Sequence, residues 1–225
     1  MKLIGHRGSK NELPENTLLG FKHAIELGLD GIELDVHCTK DGELVVIHDP
    51  TLNRTTNGDG LVNDFTLSEL RSLDAGSGEL IPTLDEAIDL VIAANKKLFL
   101  EAKDLKTAEK ILEIIPKRDL YDQCTVICFD HYFVKSIKER NPKINTGVII
   151  ASAPVGVVDL VHRANADCVV CAIRLIRSEM VSDCKKAGVP VAVYNANTKE
   201  EFERMKTLEI DYVMTDRPKF IKGLL

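Results

Sequence analysis

No window of this 225-residue chain approaches the roughly 18 consecutive apolar residues of a membrane-spanning helix. No stable membrane insertion is therefore expected. Aromatic residues make up only 5% of the chain, and no obvious aromatic or apolar loop offers a lipid surface a landing site. An excess of positive charge is also missing: 29 Lys and Arg stand against 35 Asp and Glu, a net −6. That excludes general nucleic-acid binding, which needs a basic face. No second C-x-x-C and no paired histidines accompany Cys168 and Cys171, which removes a zinc site. The pair lies inside the apolar run DCVVCAI rather than at a helix start, where a redox thiol would be activated. Both therefore read as buried core cysteines. The apolar stretch in the opening MKLIGHRG is too short for a signal-peptide core. The six cysteines then read as reduced thiols, and a cytoplasmic location is expected. Internal repeats, low-complexity tracts and interdomain linkers are lacking, so residues 1–225 read as one domain.

What is present is alternation. β-rich runs at 2–6, 31–37, 44–48, 97–103, 125–129, 144–149, 167–171, 189–194 and 212–215 are mostly separated by helical stretches. The stretch 17–27 has Asn16 as a plausible N-cap and Gly28 past its end. TLDEAIDLVIAAN carries the Thr83/Glu86 signature of a capping box. HYFVKSIKER, SEMVSDCKKAG and TKEEFERMKTL repeat the amphipathic pattern. This order predicts a parallel sheet with crossover helices. Nine strands are one too many for a (β/α)8 barrel, but GIELDVHCTKDGELVVIHD holds two with no helix between them. Asp41-Gly42 is a strong hairpin signal, so the second would run antiparallel and leave eight parallel strands. A doubly wound sheet fits less well, because no G-x-G-x-x-G follows the first strand. Residues 49–82, rich in turn formers, read as an inserted excursion on the catalytic side.

In such a barrel the C-terminal ends of the strands build the site. His6 and Arg7 stand at the end of the first run. Glu33 and Asp35 share one face of the second, while Ile32, Leu34 and Val36 share the other. The apolar set can meet helices, which turns the carboxylates into the barrel mouth. Buried like charges repel and are poorly solvated, so a cation is the natural remedy. KLFLEAK repeats the arrangement with Glu101 and Lys103. Three carboxylates form an all-oxygen set suited to one hard divalent cation, Mg²⁺ or Ca²⁺. With a two-residue loop at Asp41-Gly42, Lys40 faces Glu43 and His48 falls opposite Asp35. Arg7 offers a planar fork for phosphate and Lys103 a point charge. Two imidazoles can exchange protons near neutral pH. Together these are the tools of phosphodiester cleavage.

The chain resembles the glycerophosphodiester phosphodiesterases almost end to end. The matching motifs, in order, are HRG (6–8), PENT (14–17), ELD (33–35), DGELVVIHD (41–49), LNRTTNGDG (52–60), IPTLDEA (81–87), EAK (101–103) and TDRP (215–218). The resemblance implies a (β/α)8 barrel that hydrolyses a glycerophosphodiester to sn-glycerol 3-phosphate and an alcohol. It implies His6 and His48 as the acid/base pair, and Glu33, Asp35 and Glu101 as ligands of a divalent metal. It implies Arg7 and Lys103 as phosphate contacts, with Asn16 and Asp49 in supporting roles. Two positions depart from the family pattern: Cys128 stands where a serine often precedes the phenylalanine (here Phe129), and Tyr194 replaces a late tryptophan, with Asn197 matching the asparagine that follows. These departures bear on the shape of the glycerol or head-group pocket.

Other titratable groups read as structural. His37 shares the face of Asp35 without an implied role, His23 and His162 lie on helices, His131 opens a helix, and Asp216 caps the last one. The expected partner is a small glycerophosphodiester, attacked by water or by the neighbouring glycerol hydroxyl through a cyclic phosphate. The alternatives are a lysophospholipase D or phospholipase C-like lipid phosphodiesterase, and a catalytically inactive binding barrel.

Overall fold

Alternation along one strand decides the layering of the molecule. In β2 (Gly31–Cys38), Ile32, Leu34 and Val36 join a buried cluster of 47 residues, while Glu33 and Asp35 face the other way and are also buried. The computed structural model describes all 225 residues. Its other strands are β1 (Lys2–Gly5), β3 (Leu44–Val46), β4 (Lys97–Ala102), β5 (Cys124–Cys128), β6 (Asn145–Ile150), β7 (Cys168–Ala172), β8 (Val191–Tyr194) and β9 (Tyr212–Thr215). All nine expected strands are present, and each end lies within two residues of its predicted place. β1 pairs in parallel with both β2 and β9, which closes eight parallel strands into a ring, and β3 lies outside it, antiparallel to β2. The fold is a (β/α)8 barrel.

The helices are α1 (Leu18–Glu26), α2 (Leu67–Leu70), α3 (Leu84–Ala93), α4 (Ala108–Lys117), α5 (His131–Arg140), α6 (Val157–Arg163), α7 (Ser178–Ala187), α8 (Lys199–Thr207) and α9 (Pro218–Lys222). The 47-residue cluster fills the layer between sheet and helices. A smaller cluster, with Ile4, Phe99, Ile127, Ile149, Val170 and Met214 among its eight members, plugs the barrel interior. Cys168 belongs to the inner cluster and Cys171 to the outer. Three residues apart on a strand, they point to opposite faces and cannot share a ligand. All six cysteines are free and buried. The excursion after β3 has its own core, in which Val45 and Ile47 of the hairpin arm meet Leu52, Val62, Leu70, Ala75 and Ile81.

Local signals explain most helix starts. Thr83 accepts from the Glu86 amide while Glu86 accepts from the Thr83 amide, completing the expected capping box. Asp130 caps α5, so His131 does open that helix. Three local expectations are corrected. α1 is capped by Thr17, whose hydroxyl accepts from the Gly20 amide, and not by Asn16. The last helix has no side-chain cap, and Asp216 points elsewhere. The hairpin loop holds three residues: Thr39 pairs with Glu43, and Gly42 takes φ +82°, a conformation glycine adopts without steric cost. The register therefore shifts by one. Ile47, not His48, lies opposite Asp35 and donates its amide to the Asp35 carbonyl at 3.0 Å.

Candidate active site

The turn after β1 shows why an imidazole and a guanidinium follow a glycine so early in the chain. The His6 amide continues the ladder by donating to the Thr215 carbonyl at 2.9 Å, and the chain then doubles back through Arg7 (φ +48°) and Gly8 (φ +80°). A Cβ on Gly8 would lie 2.7 Å from the backbone of Gly20, so only glycine fits against α1. Arg7 bears left-handed strain without that freedom, as does Asn16 at φ +56°. Each such residue costs of order 1–2 kcal/mol, and strain of this kind gathers at functional sites.

The turn delivers His6 and Arg7 to a cavity of about 140 Å³ at the C-terminal mouth of the barrel. Glu33, Glu101, Lys103, His48, Phe129 and Tyr194 also line it, over a floor of Ile127, Ile149, Val170 and Met214. His48 reaches the cavity although the register moved, because regular pairing of the hairpin stops at Val46. The His48 carbonyl accepts from His37 Nε2 at 3.1 Å, which gives His37 a place beneath the site.

Each histidine is held by an aspartate. His6 Nδ1 donates to Asp216 Oδ1 at 2.6 Å, and His48 Nδ1 donates to Asp49 Oδ1 at 2.6 Å. In both rings this leaves Nε2 as the nitrogen without the proton. The settings differ. Asp216 is buried and also accepts from the neutral amides of Asn195 (2.9 Å) and Asn197 (2.6 Å). Burial opposes its ionisation, but the bonds from His6, Asn195 and Asn197 outweigh it and hold the carboxyl well below the usual range. Asp49 is clamped by Arg54 at 2.6 and 3.0 Å, and that contact holds it low. Arg54 also grips Glu15 with both terminal nitrogens at 2.8 Å, and Glu15 accepts from Arg7 Nη1 at 2.8 Å. Burial lowers both imidazoles from their ordinary value against the pull of the carboxylates, so both are neutral at neutral pH.

Glu33, Asp35 and Glu101 form the acidic trio, with one oxygen from each lying within 4.8 Å of the others. The Arg7 amide donates to Glu33 Oε2 at 2.9 Å, and Asn16 Nδ2 donates to Asp35 Oδ2 at 2.8 Å. Lys103 Nζ bonds Glu101 and stands 3.2 Å from Asp35 Oδ1, and Arg7 Nε stands 3.2 Å from Asp35 Oδ2. The partner charges divide the trio. Burial disfavours charge on Asp35, but Lys103 and Arg7 prevail and lower it. Burial and the Asp35 charge push Glu101 up to about 7, and they raise Glu33 well above the carboxylate range. Glu33 Oε1 and Asp35 Oδ1 are buried without a hydrogen-bond partner. Orphaned buried oxygens are costly unless something binds them. An unpartnered Glu33 oxygen beside two further carboxylates fits a hard divalent cation.

The remaining expected residues frame the mouth. Phe129 is half exposed, with its ring 5.9 Å from Lys103 Nζ, and the Tyr194 hydroxyl donates to the Ile150 carbonyl at 3.3 Å. Cys128 faces the helix layer, where its thiol meets the Ala102 carbonyl. Asp216, Asn195, Glu15 and Arg54 also belong to the cluster, although only proximity in the folded chain reveals them. Glu15, Arg54 and Asp216 do lie inside the PENT, LNRTTNGDG and TDRP motifs, which was the available signal.

Comparison with known proteins agrees with this geometry. The glycerophosphoryl diester phosphodiesterase family model matches residues 6–220. A glycerophosphodiester phosphodiesterase of Caldanaerobacter subterraneus subsp. tengcongensis is 38% identical over 238 residues, covering 99% of this chain and 97% of that protein. A phosphodiesterase of Oleispira antarctica, solved with the product sn-glycerol 3-phosphate, superposes with a TM-score of 0.93 at 30% identity, covering 99% of this chain and 96% of its own. A glycerophosphodiester phosphodiesterase from Thermotoga maritima is 29% identical with a TM-score of 0.85, covering 100% and 98%. With its ring of eight strands, its acidic trio and its paired imidazoles at the mouth, the chain belongs to the glycerophosphodiester phosphodiesterase family.

Proposed function

We propose that this protein hydrolyses glycerophosphodiesters to sn-glycerol 3-phosphate and an alcohol, with one histidine taking a proton from the nucleophile and the other giving one to the leaving alkoxide, beside a bound divalent cation. The observation that carries this reading is the pair of imidazoles, each fixed through Nδ1 by an aspartate at 2.6 Å, opening onto one cavity with Glu33 and Glu101 of the acidic trio. Glu33, Asp35 and Glu101 would hold Mg²⁺ or Ca²⁺, which when bound supplies Lewis-acid polarisation of a phosphoryl oxygen. Arg7 and Lys103 bind the phosphate, and their positive charge is what an anionic substrate meets in an otherwise acidic protein. Asn16 keeps Asp35 in place. Phe129 and Tyr194 shape the wall against which the glycerol or head group rests.

His6 acts as base and His48 as acid. The Asp216 charge is matched only by neutral amides and so favours the His6 cation that forms on proton uptake. To act as acid, His48 must first take a proton from solvent on Nε2; because the Asp49 charge is already matched by Arg54, the resulting His48 cation is less supported and gives that proton up to the leaving alkoxide. The test is incubation with glycerophosphocholine and glycerophosphoethanolamine, with and without a chelator, with assay of sn-glycerol 3-phosphate. Turnover should stop with the chelator and return with Mg²⁺ or Ca²⁺. His6→Ala and His48→Ala should each lower kcat by about 10²–10⁴-fold. Undiminished turnover in chelator would overturn the metal assignment, and undiminished turnover in His6→Ala would overturn the proton-transfer roles. A folded protein that binds these diesters without turnover would be a binding barrel instead.

A further inference from the structure

The motif LNRTTNGDG (52–60) supplies none of the residues that line the cavity. Most of it is occupied in folding on itself. Leu52 is buried in the core of the excursion, and its amide donates to the Gly60 carbonyl at 3.0 Å. The Thr56 amide and hydroxyl both return to the Leu52 carbonyl, at 3.1 and 2.8 Å. Asn53 bonds Asp59, and the Asn57 side-chain carbonyl accepts from the Asp74 amide at 2.9 Å. A Cβ on Gly58 would lie 2.7 Å from the Leu73 side chain, so the turn packs tightly on the segment after α2. Arg54 bonds to nothing within this turn. Its side chain, 45% exposed, leaves it to hold two carboxylates at once.

The guanidinium is fully used. Nε donates to Asp49 Oδ2 at 2.6 Å and Nη2 to Asp49 Oδ1 at 3.0 Å. Nη1 donates to Glu15 Oε2 and Nη2 to Glu15 Oε1, both at 2.8 Å. A planar fork can span two carboxylates in this way, and a compact ammonium cannot. Each carboxylate leads on to a different working group. Asp49 Oδ1 also accepts from His48 Nδ1 at 2.6 Å, and Glu15 Oε1 also accepts from Arg7 Nη1 at 2.8 Å. His48 and Arg7 line the cavity, whereas Arg54 does not. Without the guanidinium each carboxylate loses two hydrogen bonds. Asp49, 23% exposed, can then turn from His48 to water. Glu15 is only 10% exposed and keeps Arg7 as its one cation, so it draws the Arg7 fork toward itself and away from the cavity.

We propose that Arg54 is a positioning residue that sets the proton donor and the phosphate contact together, so that the excursion enters the chemistry through a single side chain. The inference rests on the hydrolytic reading for the roles of His48 and Arg7. Its test reads the two arms separately: kcat on glycerophosphocholine for His48, and calorimetric affinity for sn-glycerol 3-phosphate in Mg²⁺ for Arg7. Arg54→Ala should lower kcat by about 10–100-fold and product affinity by about tenfold, with a thermal midpoint close to the parent's. Arg54→Lys keeps the charge but not the fork, and should recover one arm at most. In an Asp49→Asn background, Arg54→Ala should cost little further kcat, because its path to His48 is already cut, while product affinity still falls. Equal losses of kcat in the parent and Asp49→Asn backgrounds overturn the proposal. So does unchanged product affinity in Arg54→Ala, or recovery of both arms by Arg54→Lys. A parent that binds the product but turns over no glycerophosphodiester would sink the hydrolytic reading instead, and the product titrations would still decide the Arg7 arm.

Discussion

Asp216 touches no expected site residue except His6, yet it fixes which imidazole nitrogen is free. Asp216→Asn keeps the shape and removes the charge, and its amide can hold the wrong tautomer. It should lower kcat by about 10³–10⁴-fold with little change in KM and a thermal midpoint close to the parent, as steady-state kinetics and a melting curve would show. A raised KM with intact kcat would mean that Asp216 serves binding. A second expectation concerns the trio without its ion. Glu101 titrates near 7 in the folded protein and at its ordinary 4.5 when unfolded. Between these values the folded state binds more protons, so this group's contribution to stability is full below 4.5 and lost as pH rises through 7. On the proposed reading, a divalent cation would take the place of those protons. Its gain in melting temperature should therefore be small at pH 5 and larger at pH 8, read by thermal denaturation in chelator against Mg²⁺ or Ca²⁺. An equal gain at both would place the ion elsewhere.

At the scale of elements, the corner after β1 and the caps are the sensitive points. Gly8→Ala meets both a left-handed backbone and the wall of α1, and should cost about 2–4 kcal/mol in urea unfolding as well as most of the activity. Thr83→Ala removes half of a capping box and should cost about 1 kcal/mol with turnover intact. Elements of this kind were legible in the sequence because their causes are local: β2 alternates with period two, and Thr83 and Glu86 cap each other three residues apart. The hairpin register was not legible, since Asp41-Gly42 serves a two-residue or a three-residue loop and only the second is built here. Asn16 resembled a cap by its residue type, but Thr17 next to it holds the helix and frees Asn16 for Asp35. The trio and His6 could be read because strand parity alone aims them. The pairing of His6 with Asp216 and of Arg54 with Glu15 could not, because each forms only when distant parts of the chain fold together.

For the whole molecule, the barrel interior is a second core that loops cannot supply. Phe99 packs there edge-on to Tyr212, with ring centroids 5.2 Å apart. Phe99→Ala should cost about 3–5 kcal/mol in a denaturant titration. Burial pushes the Cys124 and Cys168 thiols up to about 12 and those of Cys128, Cys171 and Cys184 up to about 11. A thiol reagent at neutral pH should therefore find almost nothing to modify in the native protein and all six groups after unfolding; rapid native labelling would show that the layer between sheet and helices opens readily.

β1 lies beside β9, so the first strand of the chain completes its hydrogen bonding only with the last. A ribosome that has released everything up to residue 200 has already made the three acids, both lysine and arginine anchors and both imidazoles. It has not yet made the carboxylate that orients the first of them. Competence in this enzyme thus waits on residues 212–216, and a growing chain stays chemically silent until the ring shuts.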